Sequence, residues 1–206
     1  MSMTRRLALA LALSLSTASF GAPAWAADPV PAVTANDRIL GRVDAPVTVI
    51  EYASFTCPHC AAWHNDVLPA FKARFIDTGQ VRLVFRDLPT QPARVAATVA
   101  GIARCAEPAR FFDVAASLMR GQAAALTTND ARSWYDAAVA ASGRTEDEIK
   151  ACLDDPATMT NLRASMAGAE AAGVNRTPTF FVDGKMVDDS SLDALAAAIE
   201  PALQGR

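Results

Sequence analysis

The sequence predicts an α/β fold that carries an inserted all-helical subdomain. Two stretches rich in β-branched residues, Val47 to Tyr52 and Val81 to Arg86, indicate short strands on either side of a helix. A strand, a helix and a second strand within about forty residues favour parallel pairing through a right-handed crossover. From Ala93 to Gly173 the chain is alanine-rich and helical in pattern, so we place the insertion at about residues 89–173.

The first 26 residues have the pattern of a secretory signal peptide. Arg5 and Arg6 form a short basic region, Leu7 to Phe20 is almost entirely apolar, and Ala24-Trp25-Ala26 is a small-x-small cleavage site. Because the apolar run of about 14 residues is shorter than the roughly 20 that span a bilayer, a retained membrane anchor is the weaker alternative. We expect cleavage after Ala26 and export of residues 27–206.

Composition and charge limit the classes of function. The whole chain has a formal net charge of −3 at pH 7, and the leader contains two arginines and no acid. An acidic mature chain argues against a nucleic-acid partner. Residues 27–46 contain three prolines and no long apolar periodicity, which predicts a surface arm ahead of one domain at residues 47–206.

Two cysteines stand where the first strand gives way to a helix. Cys57 and Cys60 follow the stretch Glu51 to Ala53. After them, apolar residues recur at every fourth position from Trp63 to Phe75, which predicts a helix. A helix N-terminus carries unpaired N–H groups and partial positive charge, so a thiolate there is stabilised and its pKa falls. The pair is therefore interpreted as a redox dithiol. The alternatives are an inert structural disulfide and half of a zinc site, although zinc usually needs four ligands and the chain has two histidines.

The remaining elements follow from turn residues and periodicity. Proline and glycine signals divide the insertion into four or five short helices, and the breaks fall near Glu107-Pro108, Gly121, Ser142-Gly143 and Asp155-Pro156. Pro69 is expected to disturb the helix that begins at the cysteines. After the insertion, Asp183-Gly184 predicts the turn of a hairpin formed by Thr179 to Val182 and Lys185 to Val187, closed by a helix from Ser191 to Leu203.

This order of elements resembles the thioredoxin fold, and specifically the DsbA-like thiol-disulfide oxidoreductase family. Cys57-Pro58-His59-Cys60 resembles the active-site motif of the family's strong oxidases, and the stretch from Arg176 to Gly184 resembles its cis-proline loop and hairpin. Glu51 matches the family's buried acid. Thr177 departs from the best-known oxidases, which carry valine before the loop proline, and leaves oxidase versus isomerase open.

The resemblance implies catalytic roles for five residues. Cys57 is the exposed nucleophile, Cys60 is its inward-facing partner, and Pro58 and His59 complete the motif. The imidazole of His59 is expected to stabilise the Cys57 thiolate and to make the disulfide more oxidising. Glu51 is expected to relay a proton to Cys60; the alternative is a solvated acid on an edge strand.

The resemblance also implies substrate-binding and structural residues. Pro178 in the cis form would expose the backbone of Thr177 to an extended substrate; the alternative is an ordinary trans proline. Phe55 is a candidate for an apolar substrate groove, with core packing as the alternative. Cys105 and Cys152 are assigned to a structural disulfide, with two buried free thiols as the alternative.

The expected function is that of a periplasmic oxidase which donates the Cys57-Cys60 disulfide to newly exported polypeptides. It would act as a monomer without a small-molecule cofactor or a metal, and a quinone-linked inner-membrane thiol oxidase (DsbB-like) would reoxidise it. An isomerase or reductase of the same fold is the second reading. A non-catalytic holdase or copper-binding module is the third.

Overall fold

A computed structural model describes residues 30–128 and 131–205 of the chain. The predicted signal peptide, residues 1–26, lies outside the described residues. A five-stranded mixed sheet has the order β1-β3-β2-β4-β5. Its strands are β1 (Arg38–Leu40), β2 (Val47–Ala53), β3 (Val81–Asp87), β4 (Thr179–Val182) and β5 (Lys185–Val187).

The parallel β2–β3 pair is the centre of the fold, as the sequence predicts. Residues 58–76 connect the two strands and form one helical segment, which we call the cysteine helix. It consists of α1 (Pro58–Ala62), a π-helical turn (Trp63–Val67), α2 (Leu68–Phe71) and a second π-helical turn (Lys72–Ile76). The first wide turn directly precedes α2, whose second residue is Pro69. A proline lacks the N–H that an α-helical ladder needs, which accounts for the predicted irregularity.

The arm at residues 27–46 is not only a surface segment. Arg38–Leu40 forms β1, an edge strand antiparallel to β3 that the sequence analysis did not predict. The guanidinium of Arg86 holds the arm by binding both carboxylate oxygens of Asp37 and the carbonyls of Pro31 and Ala32. These contacts join residues that are far apart in sequence. The three residues of β1 alone therefore have no local pattern that predicts a strand.

The insertion contains five α-helices and one short 3-10 helix, Pro108–Arg110, within the described residues. The helices are α3 (Ala93–Cys105), α4 (Phe111–Thr128), α5 (Ala131–Ala141), α6 (Glu146–Asp154) and α7 (Pro156–Ala171). The predicted break at Gly121 is wrong, because α4 continues through it. A Cβ at Gly121 would lie 2.8 Å from Cδ1 of Trp134, so this glycine lets α5 pack closely against α4.

The hairpin and the last helix complete the fold. β4 and β5 pair antiparallel around Asp183-Gly184, as predicted, and α8 (Leu192–Gln204) begins after Ser191, whose side chain caps it. One face of the sheet packs against the cysteine helix and α8. Apart from the apolar cluster on that face, another apolar cluster lies under α3, α4 and α5 and includes both Cys57 and Cys60. No helix among the described residues has both the length and the apolar character to cross a membrane.

Candidate active site

Cys57 lies at the point where the chain leaves β2 and enters the cysteine helix. It is the N-cap residue of α1, with Pro58 at the first helical position, where a missing N–H does no harm. Cys57 is 7% exposed and Cys60 is fully buried. Both cysteines are free thiols in this structure. Both cysteines are therefore buried, which corrects the expectation of an exposed nucleophile, and of the two only Cys57 keeps some contact with solvent.

The pKa of the Cys57 thiol is lowered from its ordinary value to about 5. The largest cause is a hydrogen bond from the Cys60 thiol, while partial burial opposes the lowering. The backbone N–H groups of Cys60 and His59, both unpaired at the start of the helix, contribute further. Cys57 is therefore a thiolate at neutral pH, which is the nucleophilic form.

The pKa of the Cys60 thiol moves in the opposite direction. Burial raises it most, and the hydrogen bond with Cys57 and the charge of Glu51 raise it further. The backbone N–H of Ser54 lies 3.5 Å from Cys60 Sγ and opposes the rise. The two sulfurs thus divide the chemistry, because one ionises readily and the other retains its proton.

The loop before β4 lies against the first sulfur. The Thr177-Pro178 peptide bond is cis, and both residues are half-buried. In the thiol form, Cys57 Sγ donates a hydrogen bond to the Thr177 carbonyl at 3.3 Å. Main-chain groups of this loop are therefore adjacent to the reactive atom, where an extended peptide would pair with them.

Glu51 is buried and paired with a residue to which the sequence analysis assigned no role. His64 Nε2 lies 3.1 and 3.0 Å from the two Glu51 carboxylate oxygens. Glu51 is fully buried, which excludes the alternative of a solvated acid. A sequence signal existed, because His64 stands four residues after Cys60 and therefore on the same side of the helix.

Phe55 requires a correction as a substrate-binding residue. Its side chain is 1% exposed and its ring stacks on Phe85 with the centroids 5.2 Å apart. A side chain closed off in this way cannot contact a polypeptide at the surface. Phe55 is a core residue that supports the loop leading to Cys57.

Gln122 of α4 is a second residue that the sequence analysis missed. Its buried side-chain amide donates hydrogen bonds to the carbonyls of Phe55 and Cys57 at 2.8 and 2.9 Å. The helical insertion thereby holds the backbone of the active-site loop in place. No sequence signal identifies this contact, since a lone glutamine in an alanine-rich helix is usually solvated.

The other two cysteines are joined. Cys105, at the end of α3, and Cys152, in α6, form a disulfide with their Cα atoms 5.8 Å apart. They lie within the insertion, whereas Cys57 is the N-cap of α1 and Cys60 lies inside that helix. Among the described residues, no group of three or more His, Cys, Asp or Glu side chains is arranged to hold a metal ion.

The role of the His59 imidazole stays a prediction. The side chain is exposed, and the contribution to the pKa of Cys57 that the structure identifies comes from its backbone N–H. Replacing His59 with serine keeps that N–H and removes the imidazole. We expect His59→Ser to raise the pKa of Cys57 by less than one unit, measured as ultraviolet thiolate absorbance against pH. An unchanged curve would show that the imidazole of His59 does not stabilise the thiolate.

This fold and this pair of cysteines define a thioredoxin-like protein. A family model described as thioredoxin (Thioredoxin_4) matches residues 33–201, and the chain belongs to this family. A relative from Rickettsia bellii, named as a protein-disulfide oxidoreductase, is 31% identical over 174 residues. The match covers 82% of this chain, which spans 65% of the length of that relative.

Solved structures show the same fold. Oxidised BdbD from Bacillus subtilis has a TM-score of 0.76 at 22% identity, covering 87% of this chain and 100% of that one. Wolbachia pipientis alpha-DsbA1 has a TM-score of 0.72 at 24% identity, covering 84% of this chain and 94% of that one. The predicted thioredoxin fold with a helical insertion, and the resemblance to DsbA-like proteins, are thereby confirmed.

Proposed function

We propose that the protein is a periplasmic thiol-disulfide oxidoreductase that introduces disulfide bonds into exported polypeptides. The observation that carries this proposal is the opposed acidity of its two active-site thiols, with the pKa of Cys57 at about 5 and that of Cys60 raised. A thiolate stabilised by its surroundings favours the reduced form of the pair. The disulfide between these sulfurs is therefore a strong oxidant.

The reaction proceeds through a mixed disulfide. A thiolate of the client polypeptide attacks Cys57 Sγ, the Cys57–Cys60 bond breaks, and Cys60 leaves with the electron pair and takes up a proton. A second client thiolate then attacks the client sulfur of the mixed disulfide. A client disulfide forms, and Cys57 leaves as the stabilised thiolate. The client loses two electrons, and the enzyme ends as the dithiol found in this structure.

The client is proposed to bind through its backbone. The Thr177 carbonyl lies beside Cys57 Sγ, on a half-buried loop that leads into β4. Pairing with main-chain groups accepts many side chains, as an enzyme acting on varied exported proteins requires. A quinone-linked inner-membrane thiol oxidase (DsbB-like) would return the dithiol to the disulfide.

An isomerase or reductase is the second candidate function. It is favoured by Thr177, which stands before Pro178 at the position where the best-known oxidases carry valine. An isomerase must meet its client in the reduced form, with Cys57 already a thiolate. The two activities therefore differ in the redox potential of the pair and in the state in which the protein is active.

A redox titration against glutathione, combined with oxidation of a reduced client, tests the proposal. We expect a potential closer to the roughly −120 mV of strong oxidases than to the roughly −270 mV of thioredoxin. The oxidised protein should convert stoichiometric client thiols into disulfides. A thioredoxin-like potential, or activity confined to rearranging existing disulfides, would contradict an oxidase role and favour the second candidate.

A further inference from the structure

The Glu51–His64 pair is closed off from solvent near the buried sulfur. The side chain of Glu51 is 0% exposed and that of His64 is 3% exposed. His64 follows Cys60 by four residues, so its imidazole and the Glu51 carboxylate that it contacts lie on the side of the cysteine helix that carries the buried sulfur. The imidazole of His64 contacts both carboxylate oxygens of Glu51.

The residues beside Glu51 on the neighbouring strands of the sheet are uncharged. The strand neighbours of Glu51 are Phe85 on β3 and Phe180 on β4. Among the described residues, His64 is the only hydrogen-bond partner of the carboxylate. A buried carboxylate without a partner is strongly unfavourable. His64 is therefore the one side chain that compensates the charge of Glu51 when Glu51 is ionised.

We propose that His64 is the positioning residue that holds the proton which Glu51 exchanges with Cys60. The inference deepens the proposed function and rests on it. When the Cys57–Cys60 bond breaks, the electron pair leaves on Cys60 Sγ. The Nε2 proton of the His64 imidazolium moves to a Glu51 oxygen, and the carboxyl proton of Glu51 moves to Cys60 Sγ. The imidazole is left neutral in the reduced protein, and reoxidation runs the transfers in reverse.

Few titratable groups face the imidazole. β2 contributes Glu51, and the cysteine helix contributes Cys60 one turn earlier. β3 contributes the ring of Phe85, whose centroid is 5.9 Å from that of the imidazole. Asp66 of the same helix is exposed. Within the part of the chain that the structure describes, Glu51 is therefore the titratable side chain in direct contact with the imidazole.

The first test measures the attack of Cys60 on a mixed disulfide at Cys57, because the Cys60 thiol must lose its proton in this step. Oxidised glutathione converts the reduced protein to a mixed disulfide at Cys57, and the release of glutathione when Cys60 attacks that bond is followed against pH. His64→Gln keeps a hydrogen-bond donor for Glu51 but has no titratable proton to transfer. We expect the release rate near neutral pH to fall on the order of 10²-fold, a typical loss for general acid–base catalysis.

Matched variants separate proton transfer from structure. Glu51→Gln should give the same loss, and the double variant should be no slower than either single one, because the two residues act as one unit. A wild-type rate and pH profile in His64→Gln, or losses that multiply in the double variant, would overturn the proposal. The alkylation rate of Cys57 in each variant reports on the proposed function separately, because it depends on the Cys57 thiolate and not on proton transfer to Cys60.

A second test leaves His64 in place and so does not depend on the folding of its variants. The chain has two histidines, so His59→Ser leaves one imidazole to be followed by NMR. We expect the charge of that imidazole to differ between the oxidised and reduced proteins at the same pH. An identical titration in both redox states would show that His64 does not sense Cys60 and would overturn the proposal.

Discussion

Cys57→Ser is expected to reduce client oxidation to the rate of the client alone, whereas Cys60→Ser is expected to form a covalent complex when its Cys57 thiolate attacks a disulfide of an oxidised client. The reason is the difference between the two sulfurs. Cys57 is 7% exposed and is ionised at neutral pH, while Cys60 is fully buried. Without Cys60, the mixed disulfide at Cys57 has no internal thiol to release it. Non-reducing electrophoresis and mass analysis of the complex measure both outcomes.

The choice of substitution at position 60 provides a control. The hydrogen bond from Cys60 is the largest cause of the low pKa of Cys57. Serine retains a donor at this position and alanine does not. We expect the pKa of Cys57 to rise more in Cys60→Ala than in Cys60→Ser. A client complex that forms in Cys57→Ser through Cys60 would contradict the assignment of Cys57 as the nucleophile.

The double variant Cys105→Ala/Cys152→Ala is expected to lose about 4 kcal/mol of its free energy of unfolding, less any native-state strain. The disulfide closes a loop between residues 47 apart in sequence, and constraining a loop of this length in the unfolded chain accounts for the magnitude. The bond also holds a helix with little apolar contact of its own, because Ile149 is the only buried residue of α6. Chemical denaturation of the wild-type and variant proteins measures the difference.

The same variant distinguishes a structural bond from a redox one. We expect the pH dependence of Cys57 alkylation to be unchanged, because the disulfide lies within the helical insertion and Cys57 precedes α1. An equal free energy of unfolding in the two proteins would contradict the structural role. A shift in the alkylation profile would show instead that the second disulfide tunes the active site.

Local patterns account for what the sequence could predict. The β-branched stretches that became β2 and β3, the Asp183-Gly184 turn and the helix start at Cys57 each carry their signal within a few residues. The sequence could also predict that Glu51 faces the core, since alternation along β2 places it with Val47 and Val49. Those signals were sufficient to place both sulfurs and the loop of Pro178 in one fold.

Contacts between distant segments account for what was missed. β1 exists because the edge of β3 is available for pairing, and the Gln122 contact exists because α4 lies over the active-site loop. Gly121 was taken for a helix break because its role, a close approach by Trp134, involves another helix. His64 acquires a partner only when the cysteine helix packs on β2. Each of these residues depends on tertiary packing and not on its neighbours in sequence.

The pH dependence of alkylation at Cys57 in the reduced protein tests the central claim most directly. Cys60 is buried and the other two cysteines are joined in a disulfide, so the reaction reports on one sulfur. Because the thiolate is the reactive form, the rate should rise with a midpoint at a pH of about 5 and then stay constant through neutral pH. A midpoint near the ordinary cysteine value of 9.0 would contradict the account.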